Sequence, residues 1–356
     1  MTTFLSRETV PFDDDPPLDG FAPRPFDASV VSTVGNTPLV ALDRMFAKSH
    51  FRVFGKAEWF NPGGSIKDRT ARSIIEQALR TGQLTAGAST VVESTSGNLG
   101  IALAQLCNFH RLGLVVVIDP RTTQQNAAIM RAYGAHVELV EKPDPKTGEF
   151  LPSRLARVKD LLADIPGSYW PNQYGNEANP LAHRRTMQEI HEAVPGKLDY
   201  LFSAAGTTGT LRGCAEYIQE RGLDVTVVAV DAIGSAIFGP PEPWEKLHRR
   251  RIPGHGAALV PPLLRPGLAD KLIKVADSEA VAACRDLLAS ESLLAGGSSG
   301  AALAAVWRAA SWIEPGAQVA VILPDGGDRY LDTIYSDKWV AEQIGGRFHP
   351  TGERVA

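Results

Sequence analysis

The stretch Asn61-Pro-Gly-Gly-Ser-Ile-Lys-Asp-Arg69 places a lysine immediately after a tight turn. A proline and two glycines force that turn, Ser65 is a good helix cap, and Lys67 falls in the first helical turn, where positive charge is least welcome. A helix N-terminus and a crowded turn disfavour the ammonium form, which leaves an amine able to form a Schiff base with a carbonyl group. Lys67 is therefore the candidate nucleophile. A lone lysine after a glycine-rich turn is ordinarily a solvated charge, so other stretches must decide between the two readings.

Three further turns are rich in glycine and hydroxyl side chains. In Glu93-Ser-Thr-Ser-Gly-Asn-Leu-Gly100, residues Ser94, Thr95, Ser96, Gly97 and Asn98 would direct backbone N–H groups and hydroxyls to one point at the positive end of a helix. That is a natural seat for a carboxylate; the plainer reading is a well-capped helix. In the second turn, Gly206, Thr207, Thr208, Gly209 and Thr210 can surround a phosphate without any lysine. It matches neither G-x-x-x-x-G-K-S/T nor G-x-G-x-x-G, which weakens nucleotide readings. The third, Gly296-Gly-Ser-Ser-Gly300, puts Ser298 and Ser299 at a helix start, as a ring-nitrogen partner or as a simple cap. A Schiff-base lysine, a carboxylate seat, a phosphate cradle and a hydroxyl for a ring nitrogen are together what pyridoxal 5'-phosphate and an amino-acid substrate require. No metal enzyme is described by the same set.

These turns need strands and helices to position them. The patterning predicts strands at Phe51–Phe60, Thr90–Glu93, Leu114–Ile118, Ala135–Val140, Tyr200–Ser203, Val225–Asp231, Lys271–Val275 and Gln318–Leu323. Between them it predicts helices at Lys67–Arg80, Gly97–Arg111, Thr122–Tyr133, Ser153–Ala163, Asn179–Val194, Leu211–Arg221, Ser278–Glu291 and Ser299–Trp312, the first three followed by Gly82, Gly113 and Gly134. Such alternation implies an α/β protein with two open, mostly parallel sheets covered by helices on both faces, with ligands at the carboxyl ends of the strands. Ile237–Leu264, with its many prolines, reads as a long binding loop or lid. Residues 1–28, proline-rich and carrying Asp13–Asp15, read as an extended arm.

Composition bounds the rest. The chain has 356 residues, 44% hydrophobic and 21% charged, which suits two domains with sizeable cores. A net charge of -4 offers no broad basic field, so a small-molecule partner is expected rather than nucleic acid; the short run His248–Arg251 reads as a solvated loop. Cys107, Cys214 and Cys284 lie far apart, against a zinc site or a disulfide framework. Neither an export signal nor a membrane span is indicated, so a cytoplasmic protein is expected.

NPGGSIKDR, ESTSGNLG, NQYGNEANP, GTTGT, GGSSGA and LPDGGDRY, in this order over roughly Val30 to Tyr335, resemble the fold type II pyridoxal-phosphate enzymes of the cysteine synthase family. The resemblance implies that Lys67 carries the cofactor, Asn98 holds its ring hydroxyl, Gly206 to Thr210 grip its phosphate and Ser298 faces its pyridine nitrogen. Thr95, Ser96 and Gln173 would bind the substrate carboxylate, with Ser94 and Gly97 in the same turn. A homodimer is usual in the family. The nearer resemblance is to the N-(2-amino-2-carboxyethyl)-L-glutamate synthases of siderophore and 2,3-diaminopropionate biosynthesis, carried by ESTSGNLGIALA, YWPNQYGNE, VAVDAIGSAIFG and LPDGGDRYLDTIYSDKW. Sulfhydrylases usually have glycine where this chain has Thr208, and a Gly-Ile-Gly-Ala segment where it has Gly254-His-Gly-Ala257. Gly206, a serine in the siderophore branch, and Asn179-Pro180 are sulfhydrylase-like. Two carboxylates on a glutamate substrate would need further groups, for which Arg154 and Tyr174 are the candidates. The expected division is a large cofactor domain, 29–66 plus 174–345, a smaller substrate domain, 67–173, and a tail from 346 to 356. The alternatives are a cysteine synthase, a threonine dehydratase or cystathionine synthase of the same fold, and a non-catalytic relative that acts as a binding partner.

Overall fold

The computed structural model describes residues 29–145, 148–245, 250–345, 347–348 and 354–355. The expected arm, part of the basic run and most of the expected tail lie outside these. In chain order the elements are β1 (Leu39–Ala41), β2 (Arg52–Ala57), α1 (Lys67–Arg80), β3 (Thr90–Ser94), α2 (Asn98–Phe109), β4 (Gly113–Ile118), α3 (Gln124–Ala132), β5 (His136–Leu139), α4 (Phe150–Asp164) and β6 (Ser168–Tyr169). There follow α5 (Ala178–Ala193), β7 (Tyr200–Ala204), α6 (Gly209–Glu220), β8 (Thr226–Ala232), β9 (Lys271–Val275), α7 (Asp277–Glu291), α8 (Gly297–Ala309), β10 (Gln318–Leu323), α9 (Asp337–Gln343) and the short antiparallel pair β11 (Arg347–Phe348) and β12 (Arg354–Val355).

Six strands form one sheet in the order β1-β2-β10-β7-β8-β9, and four form another in the order β5-β4-β3-β6. Within these two sheets only β1 runs antiparallel to its neighbour. The α/β architecture with two mostly parallel sheets is thus the one the alternation predicts. Because side chains alternate across a strand, each sheet buries two apolar faces. Phe202, Val228, Val230 and Val321 pack with α7 and α8 on one face of the larger sheet, while Leu201, Val227, Ala229 and Ile322 pack with α5 and α6 on the other. In the smaller sheet Val91, Leu114 and Val116 meet α2, and Val92, Val115 and Val117 meet α4.

Some boundaries differ from expectation. β2 stops at Ala57, and Glu58–Phe60 continue as a single 3-10 turn. Strands β1 and β6, three and two residues long, are too short to show an alternation, and they went unpredicted. The helix expected from Ser153 begins at Phe150, that expected from Ser299 begins at Gly297, and α9 was not foreseen. Gly82 and Gly134 take the left-handed conformation after their helices, but Gly113 does not: Arg111 takes it at φ 57°, and Gly113 opens β4.

α1 packs against both α2 and α5, so the helix that begins at Lys67 joins the layers of the two sheets. A largely buried ionic cluster holds it there. Arg69 donates from Nε to Glu58 (2.7 Å) and from Nη2 to Glu189 (2.6 Å), and Lys56, 1% exposed, donates to Glu189 at 2.8 Å. Two cations against two anions leave no net charge buried, the condition under which such a cluster is tolerated.

Candidate active site

The sequence-predicted turns converge at the carboxyl ends of the strands, and single side chains tie them together. Thr70, almost one turn beyond Lys67 on α1, donates to Asn179 Oδ1 at 3.1 Å. The amide of the same Asn179 donates to Thr207 Oγ1 at 3.3 Å and to the Gln173 carbonyl at 2.8 Å. His183 Nε2 hydrogen-bonds both Thr70 Oγ1 (3.0 Å) and Thr210 Oγ1 (3.3 Å). Burial, followed by the charges of Lys67 and Arg69, holds the His183 imidazole well below its usual pKa, so it stands there neutral. The lysine turn and the Gly206–Thr210 turn therefore share one site.

Ser65 Oγ accepts the Lys67 N–H at 3.2 Å, but Ser65 is not the cap of α1: that position falls to Ile66, which makes no side-chain capping bond. Lys67 is half-buried, and among the described residues no hydrogen bond ties its Nζ. Desolvation lowers its pKa to about 8, against an opposing pull from Asp325. The expectation of an amine poised to lose its proton is met by burial more than by the helix terminus.

Asp325 was not singled out from the sequence. It follows β10, and an isolated bridge pairs it with Ser65, while the Ile66 N–H donates to the Pro324 carbonyl at 2.8 Å. Its Oδ2 accepts from Asn98 Nδ2 at 2.7 Å and from the Tyr330 hydroxyl at 2.5 Å. Asn98 Oδ1 in turn accepts from Arg329, whose other terminal nitrogen donates to the Gly63 carbonyl at 2.5 Å. The Asp325 carbonyl accepts the Gly296 N–H at 3.0 Å, which brings Ser298 and the start of α8 to the same place. A Cβ on Gly296 would stand 2.0 Å from Asp325 Oδ1, so only glycine fits there.

Gly206–Thr210 meets α6 through Thr208, which as the residue before the helix adopts φ 65° and ψ 0°. Its hydroxyl is buried with no hydrogen-bond partner. At the N-terminus of a twelve-residue helix, free backbone N–H groups and an unsatisfied buried hydroxyl fit a phosphate group. Ser298 is buried in the first turn of α8.

On the smaller sheet, buried Glu93 anchors the turn expected to seat a carboxylate. Its Oε1 accepts from the Ser94 N–H (2.8 Å) and from Trp170 Nε1 (3.1 Å), the backbone N–H groups of Gln173 and Asn172 lie near it, and its Oε2 is buried with no hydrogen-bond partner. Burial raises its pKa to about 7, and those donors oppose the shift. Ser94 and Thr95 are buried; Ser96 and Gly97 are half-buried, and the Ser96 carbonyl accepts from Asn126 at 3.2 Å. Arg154, with its side chain 11% exposed, faces Asp119 at 3.4 Å, yet its Nε and Nη1 make no hydrogen bond. Its charge acts on Tyr174 and Glu93, so Arg154 and Tyr174 lie beside the same seat. Among the described residues no cluster of three or more metal-ligating side chains occurs, and no helix is long and apolar enough to cross a membrane.

Known structures share the fold. O-ureido-L-serine synthase is 33% identical with a TM-score of 0.79, over 89% of this chain and 100% of that one. The O-acetylserine dependent cystathionine beta-synthase from Helicobacter pylori is 32% identical with a TM-score of 0.77, over 86% of this chain and 98% of that one. A hydrogen sulfide-producing enzyme from Fusobacterium nucleatum is 30% identical with a TM-score of 0.77, over 85% and 99%. Residues 30–325 match the pyridoxal-phosphate dependent enzyme family. Matched over residues 30–325, and at least 30% identical to solved relatives over most of both chains, the chain belongs to that family of pyridoxal-phosphate dependent enzymes.

Proposed function

We propose that the chain catalyses β-replacement on an activated L-serine, joining O-phospho-L-serine to L-glutamate to give N-(2-amino-2-carboxyethyl)-L-glutamate and phosphate. One bond from the serine β-carbon to oxygen breaks, one to the glutamate nitrogen forms, and the amine gives up a proton. Pyridoxal phosphate, when bound, supplies the electron sink that makes the α-proton acidic and lets the β-substituent leave. Lys67 would hold it covalently, Gly206 to Thr210 would receive its phosphate, Asn98 its ring hydroxyl and Ser298 its pyridine nitrogen. The Lys67 amine would take the α-proton and return it to the same carbon of the product; a pKa of about 8 leaves part of it neutral near pH 7. Ser94 to Gly97 and Gln173 hold the substrate carboxylate. We read the four-stranded sheet as the smaller, substrate-side domain.

The observation that carries the glutamate reading is Arg154: its buried Nε and Nη1 make no hydrogen bond, Nε having only an ion pair to Asp119 at 3.4 Å, and with nearby Tyr174 they are suited to a second carboxylate. Sulfide would leave them unused. The relatives with solved structures, named for O-ureido-L-serine and O-acetylserine, are consistent with an activated serine as first substrate.

A sulfide acceptor, hence a cysteine synthase, is the second reading. Gly206 favours it, because a Cβ there would stand 2.7 Å from the Gly254 carbonyl, and the serine typical of the siderophore branch does not fit without a backbone shift. The deciding experiment offers O-phosphoserine or O-acetylserine with glutamate or sulfide and identifies the product by mass. Arg154→Ala should raise KM for glutamate at least tenfold and leave sulfide turnover unchanged. Incorporation of sulfide alone would establish the second reading. A colourless purified protein with no turnover would point to a non-catalytic binding partner.

A further inference from the structure

The segment Leu323-Pro-Asp-Gly-Gly-Asp-Arg-Tyr330 brings a carboxylate into the site that the reaction scheme above does not use. Asp325 is 3% exposed. One oxygen takes the Asn98 amide and the Tyr330 hydroxyl; the other, Oδ1, is buried and has no hydrogen-bond partner. A carboxylate this dry needs a cation. Two act on it or answer to it: Arg329, whose terminal nitrogens are committed to Asn98 Oδ1 and the Gly63 carbonyl, and Lys67, whose Nζ is uncommitted. The bridge between Ser65 and Asp325 sets the carboxylate two residues across from the lysine.

We propose that Asp325 is a positioning residue for the reaction, serving at once as the counter-charge of the Lys67 ammonium and as the anchor of the Asn98 amide. The inference rests on Lys67 being the cofactor-bearing amine. Two consequences follow from the geometry. When Lys67 accepts the α-proton, the cation forms within reach of the Asp325 charge although the two make no ion pair at rest, so proton removal from the substrate is favoured. Asn98, gripped by Asp325 at Nδ2 and by Arg329 at Oδ1, cannot rotate, so its amide is held in one orientation for the ring hydroxyl. The other charged or titratable groups around the lysine do not replace Asp325. His183 on α5 is neutral; Asp68, on the lysine's own helix, gives one oxygen to the Gly63 N–H at 2.6 Å and keeps Oδ1 bare, but its charge does not act on Lys67 as that of Asp325 does; Arg69 is consumed by Glu58 and Glu189; Asp328 acts on Asp325 as a like charge, and Tyr330 donates to Asp325 itself.

The test is the pH profile of cofactor capture. Apoprotein is mixed with pyridoxal phosphate from pH 6 to 10, the adduct is trapped with borohydride, and its position is read by peptide mass. Asp325→Asn keeps an acceptor for Asn98 and Tyr330 but removes the charge; Asp325→Ser, smaller and uncharged, provides a second variant should the first not fold. In either, the midpoint of the capture profile should fall by about one pH unit, so that capture at pH 7 accelerates several-fold. Exchange of the substrate α-proton with deuterated solvent should slow by about tenfold in the same protein. A merely structural defect would slow both. Tyr330→Phe, which removes a hydrogen bond and no charge, should leave the midpoint in place. An unshifted midpoint in the Asp325 variants, or exchange as fast as in the wild type, overturns the proposal. Absence of a trapped adduct at Lys67 in the wild-type protein would instead overturn the assignment of Lys67.

Discussion

Thr208→Gly should stabilise the cofactor-free protein and weaken its hold on the cofactor. Thr208 sits at φ 65°, where a residue bearing a Cβ is strained by roughly 1–2 kcal/mol. Its hydroxyl is also buried without a partner, a desolvation cost of about 1–3 kcal/mol. Glycine removes both. Against that stand two lost carbons, Cβ and the methyl, about 1.6 kcal/mol, and the greater freedom of a glycine in the unfolded chain, about 0.4–1 kcal/mol. At mid-range values the net gain is about 1 kcal/mol. Unfolding entropy of roughly 2.1 cal/mol/K per residue turns this into a rise of only about 1 °C in the melting temperature of a chain of 356 residues. With the cofactor bound, the same hydroxyl is suited to donate to the phosphate, a charge-assisted contact of about 1.5–3 kcal/mol, so the dissociation constant should rise roughly tenfold to a hundredfold. Differential scanning fluorimetry of the apoprotein and a fluorescence titration with pyridoxal phosphate read the two effects separately. A variant that melts lower without cofactor and binds it as tightly as the wild type would show that neither backbone strain nor a phosphate contact operates at position 208.

Three other outcomes are expected. Because burial lowers the Lys67 pKa from 10.5 to about 8, the unfolded chain binds more protons than the folded one between those values, and the native state gains stability as pH rises through that window. Lys67→Met should therefore stabilise the apoprotein at pH 7 by an amount that shrinks towards pH 10.5, measured by urea denaturation at several pH values; a pH-independent difference would count against a desolvated amine. The Glu93 carboxyl is raised from 4.5 to about 7, so the folded state binds the extra proton and loses stability as pH climbs through that range. Glu93→Gln should gain on the order of 2 kcal/mol relative to wild type between pH 5 and pH 7.5, and an equal effect at both pH values would refute the shift. Gly300→Ala should cost at least about 2 kcal/mol, since its Cβ would lie 2.1 Å from the Ala280 carbonyl and 2.5 Å from Cys284 Sγ, where α8 meets α7; thermal unfolding at wild-type temperature would contradict that packing.

Order and type of the longer elements, the glycine- and hydroxyl-rich turns between them and the cofactor they suit were legible in the chain itself. Helical and strand periodicities, and glycine with hydroxyl residues at strand ends, depend on neighbours in sequence. Lys67, Asn98, Gly206 to Thr210 and Ser298 were named on those grounds, together with the family motifs. Residues acting through space were not. His183 reads as one more residue of an amphipathic helix, and only the packing of α5 between α1 and α6 makes it the link between Thr70 and Thr210. Asp325 reads as a turn residue beside two glycines, until the placement of β10 beside β2 sets it against Ser65 and Asn98. Arg111, and not Gly113, reverses the chain after α2, because burying Leu112 and Leu114 fixes which residue must take the left-handed position. Local propensity determined what each segment is. Which segments touch was decided by the crossovers that order the strands β2-β10-β7 and by the burial of both faces of the sheet, and neither is written in any short stretch of the chain.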